Sequence, residues 1–370
     1  MVASQCLLHR NQCLPVFGGR MSKSGHIVSA ATLKSFAESI FISCGVAGDH
    51  AETWADILVW ANLRGMDSHG VLRIPRYIAY MANGNIQAQP EIKVEKRDGA
   101  VAIMDSNWAP GPVAMTMAMD EAIGRARECH VGWCIVRNIT HGGAIGYYAL
   151  QAAQAGFAGI VITASRPMMA YYGAKVAGAS TNPLAIAVPG GEHPPLLLDM
   201  STATASMGKI LAAQDAGTPI PDGWGIDADG RTTNDANAVA SLMPLGGAKG
   251  SGLSMMIECM VSLFANNPLV EPNIRPGANP TGYRQNGLAA AIDISAFTDL
   301  DTYRGEIDRL AQGLKALPRA DGVEEIYAPG ERGDAVLAER SANGIPLPPV
   351  TWDRLEVEAD KLGIAMPETL

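Results

Sequence analysis

The spacing of apolar residues changes near Pro90, and this change most limits the folds open to the chain. Over residues 26–90, apolar residues recur three or four positions apart, which predicts amphipathic helices. Beyond Pro90, short apolar runs alternate with helical stretches, which predicts an α/β architecture. We expect a helical domain at residues 26–90, an α/β domain at residues 91–315 and a C-terminal segment at residues 316–370. That segment ends in a predicted helix, residues 351–362, which we expect to pack back on the N-terminal domain.

The same patterns predict individual elements. Three N-terminal helices are predicted to end at Gly45, Arg64 and Gly84, and Asp49 with Glu52 resembles a capping box at the start of the second. Strands are predicted at residues 132–137, 159–163, 184–188, 196–198 and 288–294, and helices at residues 113–129, 145–155 and 252–264. We interpret the strands at 184–188 and 196–198 as buried and the helix at 252–264 as part of the core. The long loop at residues 266–284, with four prolines, is expected to be functional or mobile.

Charge and composition exclude several classes of partner. The chain has 28 Lys and Arg against 37 Asp and Glu, so it lacks the basic surface that nucleic acids require. Its longest apolar stretch, residues 252–265, contains Glu258 and is shorter than the ~20 residues of a membrane-spanning helix, so no membrane partner is expected. The six cysteines form no CxxC pair, which predicts free thiols and a cytoplasmic location. The histidines form no HExxH pair, and no metal site is expected.

The first residues, 1–25, are expected to form a flexible extension. They contain no continuous apolar stretch of the kind that a secretory signal requires. Helical patterning begins after Met21, so Met21 is a possible alternative start.

A polar turn between the second and third helices is the first candidate for chemistry. It contains Asp67, Ser68 and His69, and Arg73 follows it closely. A histidine can give a proton to a substrate oxygen, and an arginine can hold a carboxylate. The alternative is that His69 caps a helix or is solvated. Because Asp67, Ser68 and His69 are sequence neighbours whose side chains diverge, they cannot form a nucleophilic triad by themselves, and hydrolase chemistry is not supported.

A second candidate, residues 138–146, follows a predicted strand and contains His141 and several glycines. Free amides at the start of the following helix would favour an anion. The G-x-G-x-x-G spacing is absent, and the next strand ends in Ala164 and Ser165 rather than in the acidic residue that binds a ribose. A standard Rossmann domain is therefore disfavoured. The alternative for His141 is a helix cap.

Two further segments offer groups for a ligand. Lys249 lies in a glycine-rich turn that could hold a phosphate, although the P-loop spacing is absent and the alternative is a flexible turn. Asp199 follows the strand predicted at 196–198, where α/β sheets bind ligands, and its alternative role is the N-cap of the next helix.

Six segments then occur in a recognisable order. They are SHGVLRIPRY (68–77), RNITH (137–141), STNPL (180–184), DMS (199–201), PLGGAKGSGL (244–253) and AID (291–293). Together they resemble the type-2 malate/L-lactate dehydrogenase family over roughly residues 29–362. This family of NAD(P)-dependent oxidoreductases includes ureidoglycolate dehydrogenase, diketogulonate reductase, sulfolactate dehydrogenase and piperideine/pyrroline-carboxylate reductases. The resemblance implies a non-Rossmann malate/L-lactate dehydrogenase-like α/β fold, with a helical N-terminal region and an α/β cofactor-binding domain.

The resemblance also implies roles for single residues. His69 matches a proton donor, Ser68 and His141 are further catalytic positions, and Arg73 would orient a substrate carboxylate. Positions implied to bind the cofactor, NAD or NADP, are Ser165, Asn182, Pro195, Leu196, Leu197, Leu198, Asp199, Met200, Ser201, Ala248, Lys249, Gly330, Glu331 and Arg332. The family often has Asn where this chain has Ala164, which puts one hydrogen bond to cofactor or substrate in doubt.

The expected activity is hydride transfer between a nicotinamide and the C2 carbon of a small 2-oxo or 2-hydroxy acid, with a small carboxylate as substrate. Within the family, the alternative substrate is a cyclic imino acid such as piperideine- or pyrroline-2-carboxylate. From another class, the alternative is a non-catalytic nucleotide-binding protein, which Ala164 alone favours. A homodimer is expected from the resemblance and from a helical N-terminal region with more apolar surface than its own helices can bury.

Overall fold

The computed structural model describes residues 25–277 and 284–370, so the predicted extension lies outside the described residues except for Gly25. The helices are α1 (Ala30–Ser43), α2 (Gly48–Leu63), α3 (Ile74–Ala82), α4 (Gly111–Cys129), α5 (Gly146–Gln154), α6 (Met207–Ala216), α7 (Ala248–Ile257), α8 (Glu271–Ile274), α9 (Leu300–Lys315), α10 (Glu331–Asn343) and α11 (Pro349–Leu362). The strands are β1 (His26–Val28), β2 (Lys93–Asp98), β3 (Val101–Asp105), β4 (Val131–Ile139), β5 (Phe157–Ser165), β6 (Met169–Ala170), β7 (Ala177–Ala179), β8 (Leu184–Val188), β9 (Leu196–Met200), β10 (Gly225–Ile226), β11 (Thr232–Thr233), β12 (Ser241–Leu242), β13 (Gln285–Asp293) and β14 (Ile345–Leu347).

The largest sheet has the strand order β2-β3-β4-β13-β5-β8-β9. Strands β3 and β4 pair in parallel, whereas the other neighbouring pairs of this sheet, among the residues described, are antiparallel. A Rossmann sheet is mostly parallel. The fold is therefore the non-Rossmann α/β type that the sequence predicts. A smaller sheet, with the order β11-β10-β12-β6-β7, packs with α6 around a second apolar cluster.

Helices α4 and α5 cover one face of the large sheet, and their alanines allow a close approach. Gly132 on β4 lies so near α4 that a Cβ there would overlap the carbonyl oxygen of Ala122. On another part of the sheet, Ile135, Ile162 and Leu288 pack against the segment that runs from α7 into the following turns. The core thus lies on both sides of the central strands.

Helices α1, α2 and α3 form the N-terminal region, with Phe41 stacked on Trp54 at 4.0 Å between ring centroids. Trp352 and Leu355 of α11 join the same apolar cluster, and β1 pairs with β14. The C-terminal helix therefore covers apolar surface of the N-terminal helices, which is part of the surface expected to bind a second copy of the chain. The domain boundaries at residues 90 and 315 stay a prediction.

Most predicted elements are confirmed with small changes at their ends, but three details are wrong. The N-cap of α2 is Ala47 without a side-chain hydrogen bond, so Asp49 and Glu52 form no capping box there. Strand β9 is at the edge of the sheet, so Leu198 is 39% exposed although Leu197 is buried. The predicted core helix begins earlier, at Ala248, and continues as a π-helical turn, Glu258–Leu263, with one face exposed.

Cys44, Cys129, Cys134 and Cys259 are free thiols, as predicted, whereas the two N-terminal cysteines lie outside the described residues. Within residues 25–277 and 284–370, no helix is long and apolar enough to cross a membrane. The loop predicted at residues 266–284 contains α8, and its residues 278–283 lie outside the described part.

Candidate active site

Two short 3-10 turns between α2 and α3, Asp67–His69 and Val71–Arg73, carry the first cluster of polar side chains. They are joined by Gly70, where a Cβ would overlap the side chain of Asn62. The amide of Val71 donates to Asn62 Oδ1 at 2.9 Å. Glycine is therefore required for the turn to lie against α2, and this close contact fixes where Ser68, His69 and Arg73 project.

The fold brings His141 to this turn from the distant loop after β4. The rings of His69 and His141 stack with their centroids 5.5 Å apart. Ser68 Oγ lies 2.9 Å from His69 Nδ1, and the Tyr77 hydroxyl lies 2.8 Å from His141 Nδ1. Arg73 donates from Nε to the Ser68 carbonyl at 2.6 Å. Four predicted site residues thus form one cluster.

Burial and positive charge keep both imidazoles neutral. The pKa of His69 is lowered to about 4, first by burial and then by the charge of Arg73. The pKa of His141 lies well below its usual value for the same two reasons, with a smaller effect from His69. Burial raises the pKa of Tyr77 to about 12, so its hydroxyl keeps its proton. In the described residues, the terminal nitrogens of Arg73 have no hydrogen-bond partner, which leaves them free for an anion.

Asp199 on β9 meets the start of α5. Its Oδ2 accepts a hydrogen bond from the amide of Gly146 at 2.9 Å, and a Cβ on Gly146 would lie 2.8 Å from the same oxygen. Burial raises the pKa of Asp199 to about 6, against the opposing effects of the Gly146 amide and Arg64. The amide of Gly146 at the start of α5 therefore faces a carboxylate of the chain itself. The N-cap of α6 is Ser206, so the alternative role of Asp199 as that cap is wrong.

A cavity of about 420 Å³ lies beside Asp199. It is lined by Arg64, Met66, Leu197, Asp199, Tyr327, Ala328, Pro329, Gly330, Arg332 and Gly333. The guanidinium of Arg332 lies 5.0 Å from the centre of the Tyr327 ring. Gly330 has φ of 101°, and a Cβ there would crowd Leu197 at 3.2 Å. Four of the positions predicted to bind cofactor, from β9 and from the start of α10, line this one cavity.

Comparison with known proteins decides the family. The model of the malate/L-lactate dehydrogenase family matches residues 28–356. The chain belongs to this family. It is 32% identical to ureidoglycolate dehydrogenase (NAD(+)) of Escherichia coli over 326 residues, which cover 86% of this chain and 92% of that protein.

Two solved structures agree over nearly the whole chain. The sulfolactate dehydrogenase of Methanocaldococcus jannaschii has a TM-score of 0.82 at 32% identity and covers 91% of this chain and 98% of its own. The Δ1-piperideine-2-carboxylate reductase of Pseudomonas syringae has a TM-score of 0.78 at 26% identity and covers 90% of this chain and 99% of its own. The predicted family and fold class are therefore confirmed.

Membership of the malate/L-lactate dehydrogenase family implies a nicotinamide cofactor. Such a dinucleotide carries a pyrophosphate, ribose hydroxyls and flat rings. The cavity offers a guanidinium group at Arg332, an aromatic ring at Tyr327 and an apolar wall at Leu197, whereas the guanidinium of Arg64 is paired with Asp334 and the carbonyl of Gly330. The glycine at 330 lets this loop lie close against β9, where the amide of Leu197 donates to the carbonyl of Pro329 at 2.9 Å. These groups fit part of a dinucleotide.

Other positions predicted to bind cofactor have their side chains engaged within the fold. Asn182 is fully buried, accepts from the amide of Ser165 at 3.1 Å and donates to the carbonyl of Ser254 at 2.9 Å. Ser165 Oγ bonds Ser180. Glu331 accepts from Lys315 at 2.8 Å and from the amide of Ala328 at 2.7 Å. These side chains hold the walls of the site together.

The remaining predicted positions lie on or after β9 and at the start of α7. Ser201 donates to the carbonyl of Thr181 at 3.1 Å, and Pro195, Leu196 and Met200 are half-buried. Ala248 and Lys249 are exposed in the first turn of α7. The preceding loop lies beside the end of β9, because the amide of Leu245 donates to the carbonyl of Thr202 at 2.9 Å.

Sequence reasoning missed Tyr77 and Arg64 as site residues. Tyr77 is the last residue of the segment SHGVLRIPRY (68–77), and its position four residues after Arg73 places both on the same side of the helix. Arg64 was interpreted as a helix end. It pairs with Asp334 across 270 positions of sequence, a contact without any local signal. Within the described residues, no group of three or more His, Cys, Asp or Glu side chains is arranged to hold a metal ion.

Proposed function

We propose that this member of the malate/L-lactate dehydrogenase family transfers a hydride between NAD or NADP and the C2 carbon of a small 2-oxo or 2-hydroxy acid. The observation that carries the proposal is the cluster of His69, His141 and Arg73, in which two neutral imidazoles lie beside a guanidinium with free terminal nitrogens. A small acid needs a cation for its carboxylate and a proton donor for its oxygen, and this cluster supplies both.

In the direction of reduction, Arg73 binds the substrate carboxylate and thereby fixes the position of the neighbouring carbonyl group. A reduced nicotinamide, when bound, would supply the hydride for C2. The carbonyl π electrons pass to oxygen, and His69 in its imidazolium form gives a proton to that oxygen and returns to the neutral ring, so the product is the 2-hydroxy acid. Because Arg73 and His69 hold the substrate carboxylate and the carbonyl oxygen in fixed positions, proton transfer does not depend on a chance encounter in solution.

The low pKa of His69 requires that substrate binding itself promote protonation. The charge of Arg73 is one cause of that low pKa. A carboxylate bound to Arg73 offsets this charge, so the pKa of His69 rises when the acid is in place. The proton donor therefore forms where an anionic substrate is bound. The same argument favours carboxylic acids over neutral ketones.

The partners of the two rings select which nitrogen carries the exchangeable proton. Ser68 bonds Nδ1 of His69, and Tyr77, which keeps its phenolic proton, bonds Nδ1 of His141. A hydroxyl that donates to Nδ1 leaves the proton of a neutral ring on Nε2. We assign Ser68 and His141 the role of orienting the His69 ring and setting its protonation state. The cavity beside Asp199 would hold the cofactor, with Arg332 toward its phosphates.

A second candidate substrate is a cyclic imino acid, which the similarity to the Pseudomonas syringae piperideine-carboxylate reductase favours. An imine is already basic and takes up its proton before hydride attack, so the contribution of His69 would weaken. Arg73 would still bind the carboxylate. The two candidates therefore differ in their dependence on His69.

We also propose a cytoplasmic homodimer. In α7 and its π-helical turn, Met256 is 56% exposed and Phe264 is 61% exposed, and Leu253 and Leu263 are exposed beside them. A second copy that covers this face would remove these side chains from water. A solution mass near the 38.9 kDa of one chain, measured by light scattering, would contradict the dimer.

The deciding experiment is a screen with NADH and with NADPH against pyruvate, oxaloacetate, sulfopyruvate, Δ1-piperideine-2-carboxylate and Δ1-pyrroline-2-carboxylate. Oxidation of NADH or NADPH by one of the 2-oxo acids supports the proposal. The rates with the two cofactors show which of them the protein prefers. In His69→Ala, kcat for that acid should fall ~10²–10⁴-fold, while the exposed His130→Ala serves as the matched control. If the protein binds NADH or NADPH but none of these compounds oxidises the bound cofactor, the proposal is wrong.

A further inference from the structure

Helix α10 contacts the site at two places. At its start, Arg64 donates to the carbonyl of Gly330 at 2.9 Å and pairs with Asp334, beside the cavity. Two turns further along α10, Arg340 reaches the turn that carries His69. The same helix therefore adjoins the proposed cofactor cavity and the proposed proton donor.

The contact of Arg340 is a two-nitrogen ion pair with Asp67. Nη1 lies 2.7 Å from Oδ1 and Nη2 lies 3.1 Å from Oδ2, and Nη1 also donates to the carbonyl of Asn62. The Arg340 side chain is 13% exposed and that of Asp67 39%. Charge-assisted bonds in such a fork geometry are strong and directional. They join residues 273 positions apart in the sequence.

Asn62 connects this ion pair to the rest of the turn. Its Nδ2 donates to Asp67 Oδ1 at 2.7 Å, and its Oδ1 accepts from the amide of Val71 at 2.9 Å. Asn62 itself is buried on α2. Asp67 and Val71, on either side of His69, are therefore bound to one rigid side chain, and Arg340 closes the arrangement from α10.

We propose that Arg340 and Asp67 are positioning residues that hold His69 in place for proton transfer. The inference rests on the proposed function, because it takes His69 as the proton donor. Asp67 directly precedes Ser68, whose hydroxyl bonds the His69 ring, and the Asp67 carbonyl accepts from the amide of Gly70 at 3.0 Å. Without Arg340, the Asp67 carboxylate is held by Asn62 alone, so the backbone that carries Ser68 and His69 is less restrained. A displacement of about 1 Å at a reacting group can cost about 10²-fold in rate.

Two substitutions test the pair. Arg340→Met removes the cation, and Asp67→Asn keeps an oxygen for Asn62 while it removes the charge and one acceptor. The matched control is Arg309→Met, because Arg309 also contacts a carboxylate, that of Glu306, through two nitrogens, but on the exposed helix α9. All three are measured in the full chain.

The first measurement is amide hydrogen exchange by mass spectrometry, without substrate. Peptides covering residues 66–73 should exchange ~10-fold faster in Arg340→Met and Asp67→Asn, because the amides of His69 and Gly70 close this turn. The same peptides should exchange at the wild-type rate in Arg309→Met. Peptides covering β5 should exchange at the wild-type rate in every variant, which would show that the fold is intact.

The second measurement is steady-state kinetics with the 2-oxo acid of the screen that gives the highest kcat. We expect kcat to fall ~10–100-fold in both variants with KM within ~3-fold of wild type, because the terminal nitrogens of Arg73, which would bind the carboxylate, take no part in the Arg340–Asp67 ion pair. The deuterium isotope effect from reduced cofactor labelled at the transferred position should increase. The double variant should be no slower than the slower single variant, and Arg340→Lys should recover part of the loss.

The outcomes separate this inference from the proposed function. Wild-type exchange at residues 66–73 in both variants overturns the inference, and so does faster exchange with an unchanged kcat. If the wild type reduces none of the compounds in the screen, the proposed function fails, and the exchange data alone decide whether Arg340 and Asp67 hold the turn.

Discussion

Protonation of His69 should make the stability of this protein depend on pH in a way that one substitution removes. In the folded chain the pKa of His69 is lowered from 6.5 to about 4 by burial and by Arg73. The folded state therefore disfavours the charged ring, while the unfolded chain does not. The stability contributed by the neutral ring is complete above pH 6.5 and is lost as the pH falls toward 4.

The difference of roughly 2.5 units between the two pKa values corresponds to about 3 kcal/mol when both states are protonated. At pH 5.0 the unfolded ring is charged and the folded ring is mostly neutral, so about 2 kcal/mol is already lost. His141 contributes with the same sign. In His69→Asn, the loss of unfolding free energy between pH 7.5 and pH 5.0 should be smaller than in wild type by about 2 kcal/mol.

Urea unfolding followed by circular dichroism at these two pH values measures the effect. The quantity compared is the change in unfolding free energy between the two pH values within each protein. His69→Asn also alters the hydrogen bond to Ser68, but that effect is present at both pH values and cancels. His130→Asn is the control, because the His130 side chain is 66% exposed and lies outside the cluster. If wild type and His69→Asn lose the same free energy on acidification, burial and Arg73 do not act on His69 as argued.

Three further predictions concern packing, hydrogen bonding and the cofactor. Gly132→Ala should cost about 1–3 kcal/mol of unfolding free energy because the new Cβ would overlap the Ala122 carbonyl, whereas Gly124→Ala on the open side of α4 should stabilise the helix by about 0.5–1 kcal/mol. Equal urea midpoints for these two variants would refute the close approach. Tyr77→Phe should cost about 1–3 kcal/mol because His141 Nδ1 loses its partner, and an unchanged midpoint would count against that bond. Lys249→Met should raise the Kd for NADH or NADPH ~10-fold at an unchanged Tm without cofactor, and an unchanged Kd in a fluorescence titration would remove Lys249 from the cofactor site.

Local sequence determined most of the secondary structure, because apolar periodicity and helix ends act over a few residues. Helix α1 begins after Ser29, whose hydroxyl accepts from the amide of Thr32, and strand β8 spans the predicted residues 184–188. The polar turn at residues 67–69 was also predictable, because its residue types are unusual between two helical patterns. The capping box at Asp49 failed for a local reason, since the backbone places the cap at Ala47.

Tertiary structure decided which of these local elements meet. Nothing within a few residues of His69 indicates that His141 stacks on its ring, or that Arg340 pairs with Asp67, because those contacts span 72 and 273 positions of sequence. The sequence also could not assign the carboxylate of Asp199, which binds the start of α5 rather than that of α6. Burial is likewise a property of the whole fold, so the low pKa of His69 and the exposed edge of β9 follow from the packing around them. The sequence by itself determined the elements and the candidate chemical groups, and only the folded chain decided their partners, their charge states and their distances.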